Sequence, residues 1–191
     1  MNKILIISPG VWGNLPVSKH NYAIELAKQG NLVYFMNPPN QNGVTKNYKI
    51  APIEGFKNLF LIDFYLPKFR IIDFMRFRLG ITQILDYFIL KLVTKICRKE
   101  NLSFSKIWNF DPNLHGYFSS YPGNKKIFFI ADQIQLTTQA RTAKKADAVI
   151  SVANEILEKF FPINKNCLLI NHGMNKYYEE VARKELKVLN Q

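Results

Sequence analysis

Residues 1–36 read MNKILIISPGVWGNLPVSKHNYAIELAKQGNLVYFM and carry the clearest architectural signal in the chain. Two short apolar runs, residues 4–7 and 32–36, flank an amphipathic stretch at residues 18–29. Ser18 is a candidate N-cap for a helix there, and Gly30 stands at the C′ position, where a left-handed residue is usual. A strand, a crossover helix and a second strand in this order predict a parallel βαβ unit.

The rest of the chain repeats this alternation of apolar runs and amphipathic stretches. Further strands are predicted at residues 59–62, 106–110, 127–131, 148–151 and 168–170. Helices are predicted at residues 71–99, 112–119, 139–145 and 154–160. We therefore expect one α/β domain with an open, mostly parallel sheet of about seven strands and helices on both faces.

The long predicted helix at residues 71–99 has apolar residues at spacings of three and four. The expected core-facing stripe consists of Phe74, Phe77, Ile81, Leu85, Phe88, Leu92 and Ile96. Such a stripe is typical of a helix that packs along one side against a sheet.

The composition limits the classes of protein to consider. The 191 residues are 48% hydrophobic and 21% charged, which is typical of a globular domain, and the net charge is +12. This charge favours nucleic acid, phosphorylated ligands or an anionic membrane surface as partners. No run reaches the roughly 18 to 20 uncharged apolar residues that span a bilayer. Since Cys97 and Cys167 fit neither a disulfide scaffold nor a zinc motif, we expect a cytoplasmic protein.

Polar or conformationally special residues close most of the predicted strands. These are Ser8 with Gly10, Asn37, Asp111, Asp132, Ser151, and the group Asn171, His172 and Gly173. Ligands of open α/β sheets bind beyond the carboxyl ends of the strands, so this rim is the candidate site. The alternative is that such residues cap the next helix, and Asp111 followed by Pro112 fits that interpretation well.

The first loop, at residues 8–13, resembles a dinucleotide-binding loop only in part. Ser8 stands where the GxGxxG motif has its first glycine, and Asn37 replaces the acidic residue that would hold a ribose, which disfavours NAD. Gly10 and Gly13 would let backbone N–H groups approach a phosphate or a sugar hydroxyl. Trp12 could stack on a sugar face, or it could fold over its own loop.

Several catalytic classes lack their motifs. The three histidines, His20, His115 and His172, lie far apart in the sequence and form no HExxH pattern, so no metal is expected. Neither a GxSxG elbow nor a GxxxxGK[ST] loop occurs in the chain. No cofactor is therefore expected.

Two segments near the end carry a family resemblance. Residues 143–157 read AKKADAVISVANEIL, and residues 167–175 read CLLINHGMN. They resemble the end of the N-terminal domain in GT-B glycosyltransferases of the retaining, family-four-like kind, where an "ADAVISVS" strand precedes a turn containing His or Asn and Gly. The first βα unit is similar to the opening of the same family.

The resemblance implies two Rossmann-like domains facing each other across a cleft. Residues 1–175 would form the N-terminal, acceptor-side domain, and residues 176–191 a helical linker or tail. A nucleotide-sugar domain with an E-x7-E motif is expected outside this chain, which would be inactive on its own. The implied activity is transfer of a hexose-like unit from a nucleotide sugar to a saccharide or lipid-linked acceptor, in cell-envelope polysaccharide synthesis.

The resemblance also suggests roles for individual residues. Gly10 and Gly13 would approach the donor phosphates or the acceptor. Asp132 would face the transferred sugar, where its charge could stabilise an oxocarbenium-like transition state or orient a hydroxyl, without a covalent role. His172 and Gly173 would lie at the cleft edge, or would simply form a tight turn before the linker.

The segment at residues 67–100 is basic and aromatic. It has eight Lys or Arg against three acids, and its aromatic residues include Phe69, Phe74, Phe77, Tyr87 and Phe88. One interpretation is peripheral attachment to an anionic surface at the inner face of a membrane. The other is an ordinary crossover helix whose aromatic side chains pack on the sheet.

A non-catalytic α/β module that binds a membrane surface or nucleic acid remains the alternative to a glycosyltransferase. No recognition-helix or RNA-binding motif occurs, and the basic residues are spread along the chain. Nucleic acid is therefore not the expected partner.

Overall fold

The computed structural model describes residues 1–13, 17–44, 47–67, 82–132 and 136–170. Within these ranges the strands are β1 (Lys3–Ile7), β2 (Leu32–Met36), β3 (Tyr48–Pro52), β4 (Leu59–Phe64), β5 (Phe104–Asn109), β6 (Gly123–Ile130), β7 (Ala148–Ser151) and β8 (Cys167–Leu169). The helices are α1 (Ser18–Lys28), α2 (Thr82–Lys99), α3 (Leu136–Lys144) and α4 (Asn154–Leu157), with a 3₁₀ turn at Phe118–Ser120.

The strands form one sheet in the order β3-β4-β2-β1-β5-β6-β7-β8. All neighbouring pairs are parallel except β3 and β4, and Ile7 of β1 pairs with Met36 on one side and Asn109 on the other. The chain builds outward from β1 to β4 and then returns to place β5 beside β1. The topological switch point of the sheet therefore lies between β1 and β5, where open α/β sheets bind their ligands.

Both faces of the sheet are covered by helices, as the sequence predicted. Because side chains alternate along β1, Ile4 and Ile6 face α1, and Leu5 and Ile7 face the opposite side. The α1 side buries Ala23 and Ala27 against the sheet. The opposite side buries residues of α2, α3 and α4, including Ile89, Ala143 and Leu157. The predicted α/β class with a mostly parallel sheet is confirmed.

The seven predicted strands are all present, but β3 was missed. This strand is antiparallel to β4 at the edge of the sheet, and its side chains are only partly buried. Its sequence, YKIAP, includes a lysine and ends in Pro52, so it lacks a long apolar run. Proline is tolerated there because an edge strand leaves one set of backbone groups unpaired.

At the two ends of α1 the structure corrects one prediction and confirms the other. Ser18 is not the N-cap of α1, since Val17 occupies that position and donates its N–H to Nδ1 of His20 at 3.2 Å. Gly30, with φ +85°, is left-handed as predicted.

The predicted helix at residues 112–119 is wrong. The segment consists of turns and the short 3₁₀ turn, because His115 adopts a left-handed φ of +63° that no α-helix accommodates.

Helix α2 is rotated relative to the stripe predicted for it. Its buried residues are Leu85, Ile89, Val93, Ile96 and Cys97. Phe88 is 48% exposed, so the prediction is wrong there, while Leu92 is half-buried and packs at the edge of the core. The rest of the predicted stripe, Phe74, Phe77 and Ile81, lies outside the described residues, as do the domain end at residue 175 and the tail at residues 176–191.

Among the residues that the structure describes, every helix is too short or too polar to cross a bilayer.

Candidate functional site

A cavity of about 290 Å³ opens at the carboxyl ends of β1, β5 and β6. Its lining includes Pro9, Lys19, Phe110, Asn113, Phe129 and Asp132. The cavity therefore lies at the switch point of the sheet, where the fold predicts a ligand. Its wall combines aromatic surface with one ammonium group and one carboxylate.

A larger cavity of about 390 Å³ lies elsewhere, between one side of α1 and Trp108 of β5, with Tyr22 in its lining. Trp108 pairs with Ile6 and Ile127 in the interior of β5. This second cavity is thus beside the middle of the sheet and not at its carboxyl edge. We take the first cavity as the candidate site.

The first loop is held to the strand end by Ser8. This buried side chain accepts a hydrogen bond from the N–H of Gly10 at 3.1 Å, and its own hydroxyl donates to the Gly10 carbonyl oxygen. The N–H of Ser8 donates to Met36 of β2 at 3.1 Å. The loop therefore leaves the sheet in a defined direction toward Lys19.

Lys19 lies close to Gly10 and was missed by the sequence analysis. A Cβ on Gly10 would stand 3.3 Å from Nζ of Lys19, so the glycine leaves room for the ammonium group. Partial burial lowers the pKa of Lys19, and the nearby charge of Asp111 opposes that shift. An acid is normally favoured in the first turn of a helix, and α1 has none there. The signal in the sequence that could have identified Lys19 as a site residue is the presence of a lysine, and no acid, in the first turn of α1.

The N-terminal end of α1 and the ammonium group of Lys19 bring positive potential to the same side of the cavity. Backbone N–H groups at a helix start already favour anions. A phosphate or carboxylate group in the cavity would be stabilised by both.

Trp12 is anchored behind the loop. Its main-chain N–H donates to Oδ1 of Asn37 at 2.8 Å, and Nδ2 of Asn37 donates in turn to Asp63 at 2.7 Å. Its ring meets Phe35 and His20 edge-on, each at 4.9 Å between centroids. This is the arrangement in which the tryptophan folds over its own loop. Gly13 is exposed.

Burial lowers the pKa of His20, and the neighbouring charge of Lys19 contributes to the same shift. The imidazole therefore adds little positive charge beside Trp12.

Asp111 forms the base of the opposite wall. Its buried carboxylate accepts the N–H groups of Asn113 at 2.8 Å and Leu114 at 2.9 Å. These bonds close a turn immediately after β5, and because no α-helix follows directly, the helix-capping role considered for Asp111 is not the one it has. The charge of Asp111 also acts on Lys19 and on His115.

A buried polar cluster supports this turn from below. His115 is fully buried, its Nδ1 lies 2.7 Å from the hydroxyl of Tyr121, and burial lowers its pKa to about 4. Asp86 of α2 pairs with Arg141 of α3 at 2.7 Å. Gly116 packs directly on this pair, because a Cβ there would lie 2.4 Å from the Asp86 carboxylate. The wall at residues 111–117 is therefore held between two helices.

Asp132 follows β6 and lines the cavity from an exposed position. Its main-chain oxygen accepts a hydrogen bond from Nε2 of Gln139 at 3.0 Å, which ties the strand end to α3. The carboxylate stands on the rim of the same cavity as Lys19.

The structure thus brings some of the predicted site residues together and separates others. Asp132 shares the cavity with Lys19, and Gly10 borders Lys19. Trp12 packs beside the first loop, and Asp111 supports the wall. His172 and Gly173 lie outside the described residues. Among the described residues, no three His, Cys, Asp or Glu side chains are grouped as metal ligands.

The chain is similar to solved structures, although its sequence matches no family model and no curated protein. Two solved structures of sucrose-phosphate synthase from Thermosynechococcus elongatus are similar to the chain. One has 14% identity and a TM-score of 0.57 over 99% of both chains; the other has 15% identity and a TM-score of 0.60, over 92% of this chain.

The second match covers 49% of the synthase chain, so the present chain spans about half its length. Sucrose-phosphate synthase is a GT-B glycosyltransferase. At these identities the likeness shows a shared fold, and it confirms the Rossmann-like fold that the resemblance implied for this chain.

Proposed function

We propose that this chain is the acceptor-side domain of a glycosyltransferase that moves a hexose-like unit from a nucleotide sugar to a saccharide or lipid-linked acceptor. The observation that carries the proposal is the cavity at the switch point of the sheet, with Lys19 and Asp132 on its wall. The fold shared with sucrose-phosphate synthase supports the class of reaction.

The size and charge of the cavity fit a sugar that carries a phosphate. Its 290 Å³ is near the lower end of the roughly 300–1,000 Å³ typical of small-molecule sites. Lys19 and the start of α1 would bind phosphate oxygens, and Asp132 would accept hydrogen bonds from sugar hydroxyls. Phe110 and Phe129 add apolar surface that can pack against a sugar ring.

Asp132 has a further role in this proposal. Positive charge develops at the anomeric carbon as the glycosidic bond to phosphate breaks, and a carboxylate held nearby stabilises it. Because the carboxylate is exposed, its surroundings become dry only when substrate or another domain covers the cavity. We assign Asp132 this electrostatic role and no covalent one.

A second domain completes the proposal. The cavity is too small for a whole nucleotide sugar, so the nucleotide would be bound by a domain facing this rim, in the same polypeptide or in a partner chain. We also propose that His172 and Gly173 lie at the edge of the cleft between the two domains. Cell-envelope polysaccharide synthesis and attachment at the inner face of a membrane stay proposals for the acceptor and the location.

The test is a transfer assay on the active protein with UDP-, GDP- and ADP-hexoses as donors. Asp132→Ala should lower kcat by about 10²–10³-fold, the usual loss when one electrostatic group at the reacting centre is removed, with a much smaller change in KM. Glu54→Ala removes an exposed acid that is not part of the cavity lining and serves as the matched control. A wild-type rate in Asp132→Ala would show that the assigned role is wrong.

The non-catalytic alternative makes a different prediction for the same assay. A module that only binds a surface needs neither Asp132 nor Lys19. It would show no transfer with any donor, and the two variants would behave alike.

A further inference from the structure

Helix α2 has an outward face that the core does not use. The opposite side of the helix buries Leu85, Ile89, Val93, Ile96 and Cys97. On the outward side Ile84 and Tyr87 are each 49% exposed, and Phe88 is 48% exposed. Large apolar side chains are seldom exposed in a group on one helix turn, so these three need an explanation.

Four exposed cations continue the same side of the helix toward its C-terminus. They are Lys91, Lys95, Arg98 and Lys99. Residues 84, 88, 91, 95 and 98 follow spacings of three and four, so they form one stripe along the helix. We call the apolar group Ile84, Tyr87 and Phe88 together with these four cations the α2 outer stripe.

No exposed acid interrupts the stripe. The single acidic residue of α2 is Asp86, which is 1% exposed and paired with Arg141 on the inner side. The stripe is also internally connected, since Nζ of Lys91 lies 5.3 Å from the centre of the Tyr87 ring. Exposed aromatic and aliphatic side chains together with Lys and Arg on one helix are the residue types that contact a lipid headgroup layer.

We propose that the α2 outer stripe docks this chain on an anionic phospholipid surface. The apolar group enters the headgroup layer, and the cations face lipid phosphates along the rest of the helix. The inference concerns a surface outside the strand-end cavity, and it does not rest on the proposed transfer reaction.

Charge and area favour a lipid surface over a second copy of the chain. Half-exposed side chains of this size offer roughly 300 Å² together, well below the about 800 Å² per partner of a standard protein interface. Two copies would also bring two chains of net charge +12 face to face. An anionic bilayer removes both difficulties, because it attracts the cations and needs only a shallow apolar contact.

The experiment is co-sedimentation of the full chain with two kinds of vesicle. We expect binding to vesicles that contain phosphatidylglycerol, little binding to pure phosphatidylcholine, and loss of binding as salt is raised. Lys91→Gln with Lys95→Gln should weaken binding about 25-fold, or roughly fivefold for each cation removed near the surface. Phe88→Ser should weaken it further, because the apolar contact is lost.

Matched variants separate the stripe from overall charge and overall hydrophobicity. Lys106→Gln with Lys125→Gln removes the same charge from exposed positions on β5 and β6, and Phe161→Ser removes an aromatic ring that is 50% exposed elsewhere. Both controls should bind like the wild type. Asp132→Ala should also bind like the wild type, so a failed transfer assay and a failed docking assay remain distinguishable.

Four results would overturn the proposal. They are equal binding to neutral and anionic vesicles, equal loss in stripe and control variants, Phe88-dependent dimerisation with no vesicle binding, and stripe-dependent binding of an RNA oligonucleotide with no vesicle binding. The last two would assign the stripe to a second copy or to nucleic acid.

Discussion

Two loops that leave neighbouring strands of the sheet form the two walls of the cavity, and they are built in opposite ways. One follows β1 and leads into α1, with residues 8–13 and 17 described, and the other follows β5 at residues 110–121. Both begin alike, because Ser8 accepts the N–H of Gly10 and Asn109 accepts the N–H of Asp111, each with its own side chain. From that point the two loops diverge.

The segment after β1 ends at the start of α1, where Lys19 lines the cavity. Lys19 is half-buried there, Gly10 leaves space beside it, and Gly13 has no atom closer than 3.9 Å to a Cβ position. The loop after β5 is packed instead, since Asp111, His115, Gly116 and Tyr121 are all buried. The first wall thus offers a cation to a ligand, and the second, which also contributes Phe110 and Asn113 to the lining, holds the shape of the cavity.

This difference means that substitutions on the two walls should have separable effects. Changes in the loop after β5 should lower the free energy of unfolding. Changes at Lys19 should affect ligand binding, and changes at Lys19 and Gly13 should leave unfolding nearly unaltered.

The largest effect is expected from breaking the ion pair beneath the loop after β5. Asp86→Ala leaves Arg141 without its partner in a mostly buried position, so the free energy of unfolding should fall by about 3–5 kcal/mol. Glu25→Ala removes the exposed pair with Lys28 and should cost less than about 1 kcal/mol. Urea unfolding measures both, and equal losses would show that the buried pair has no special role.

The next largest effect is on acid stability. The pKa of His115 is about 4 in the folded chain and about 6.5 when unfolded, so the unfolded chain binds a proton first as the pH falls. The contribution of His115 is complete above pH 6.5 and is lost toward pH 4, by about 3 kcal/mol in total.

His115→Asn isolates this contribution, because asparagine tolerates the left-handed backbone but does not titrate. The difference in unfolding free energy between the two proteins should shrink from pH 7 to pH 4. A difference that stays constant over this range would contradict the buried neutral histidine.

A smaller effect is expected from adding one methyl group to each wall. Gly116→Ala places a Cβ 2.4 Å from Asp86 and 2.7 Å from Arg141, so it should cost about 1–3 kcal/mol. Gly13→Ala has no close neighbour and should change stability by less than about 0.5 kcal/mol. Thermal unfolding of the two variants compares the walls directly, and the reverse ranking would contradict the account.

Lys19→Gln should have the smallest effect on stability. It should nevertheless weaken the binding of a ligand in the cavity. Unfolding should change by less than about 0.5 kcal/mol, while the affinity for a hexose phosphate should fall roughly 10- to 100-fold, as expected when a charged hydrogen bond is lost. Lys28→Gln, on an exposed position of the same helix, is the control. Calorimetric titration measures the affinities, and unchanged binding in Lys19→Gln would remove the lysine from the site.

Much of the fold could be predicted from the sequence because buried parallel strands are uninterrupted apolar runs. All seven predicted strands are present for this reason. Strand β3 could not be predicted in the same way, because an edge strand is only partly buried and carries Lys49 and Pro52. The rotation of α2 was missed because both of its faces contain apolar residues, and only packing shows which face is inside.

The candidate site was predictable as a location but not as a set of contacts. Strand ends placed Asp132 and Gly10 on one rim, since parallel strands end at the same edge. Lys19 was missed because a lysine in a first helical turn looks like solvated surface until Gly10 and Asp111 are placed beside it. The predicted helix at residues 112–119 failed because the Asp111 carboxylate and the left-handed His115 close a turn instead.

The most direct test of the strand-end cavity as a site for a phosphorylated sugar is an NMR titration of the isotope-labelled full chain with a hexose phosphate. We predict saturable shifts of the backbone amides of Gly10, Lys19 and Asp132, weaker with inorganic phosphate and strongly reduced in Lys19→Gln. Shifts confined to residues away from this cavity, or none at all up to saturating ligand, would contradict the account.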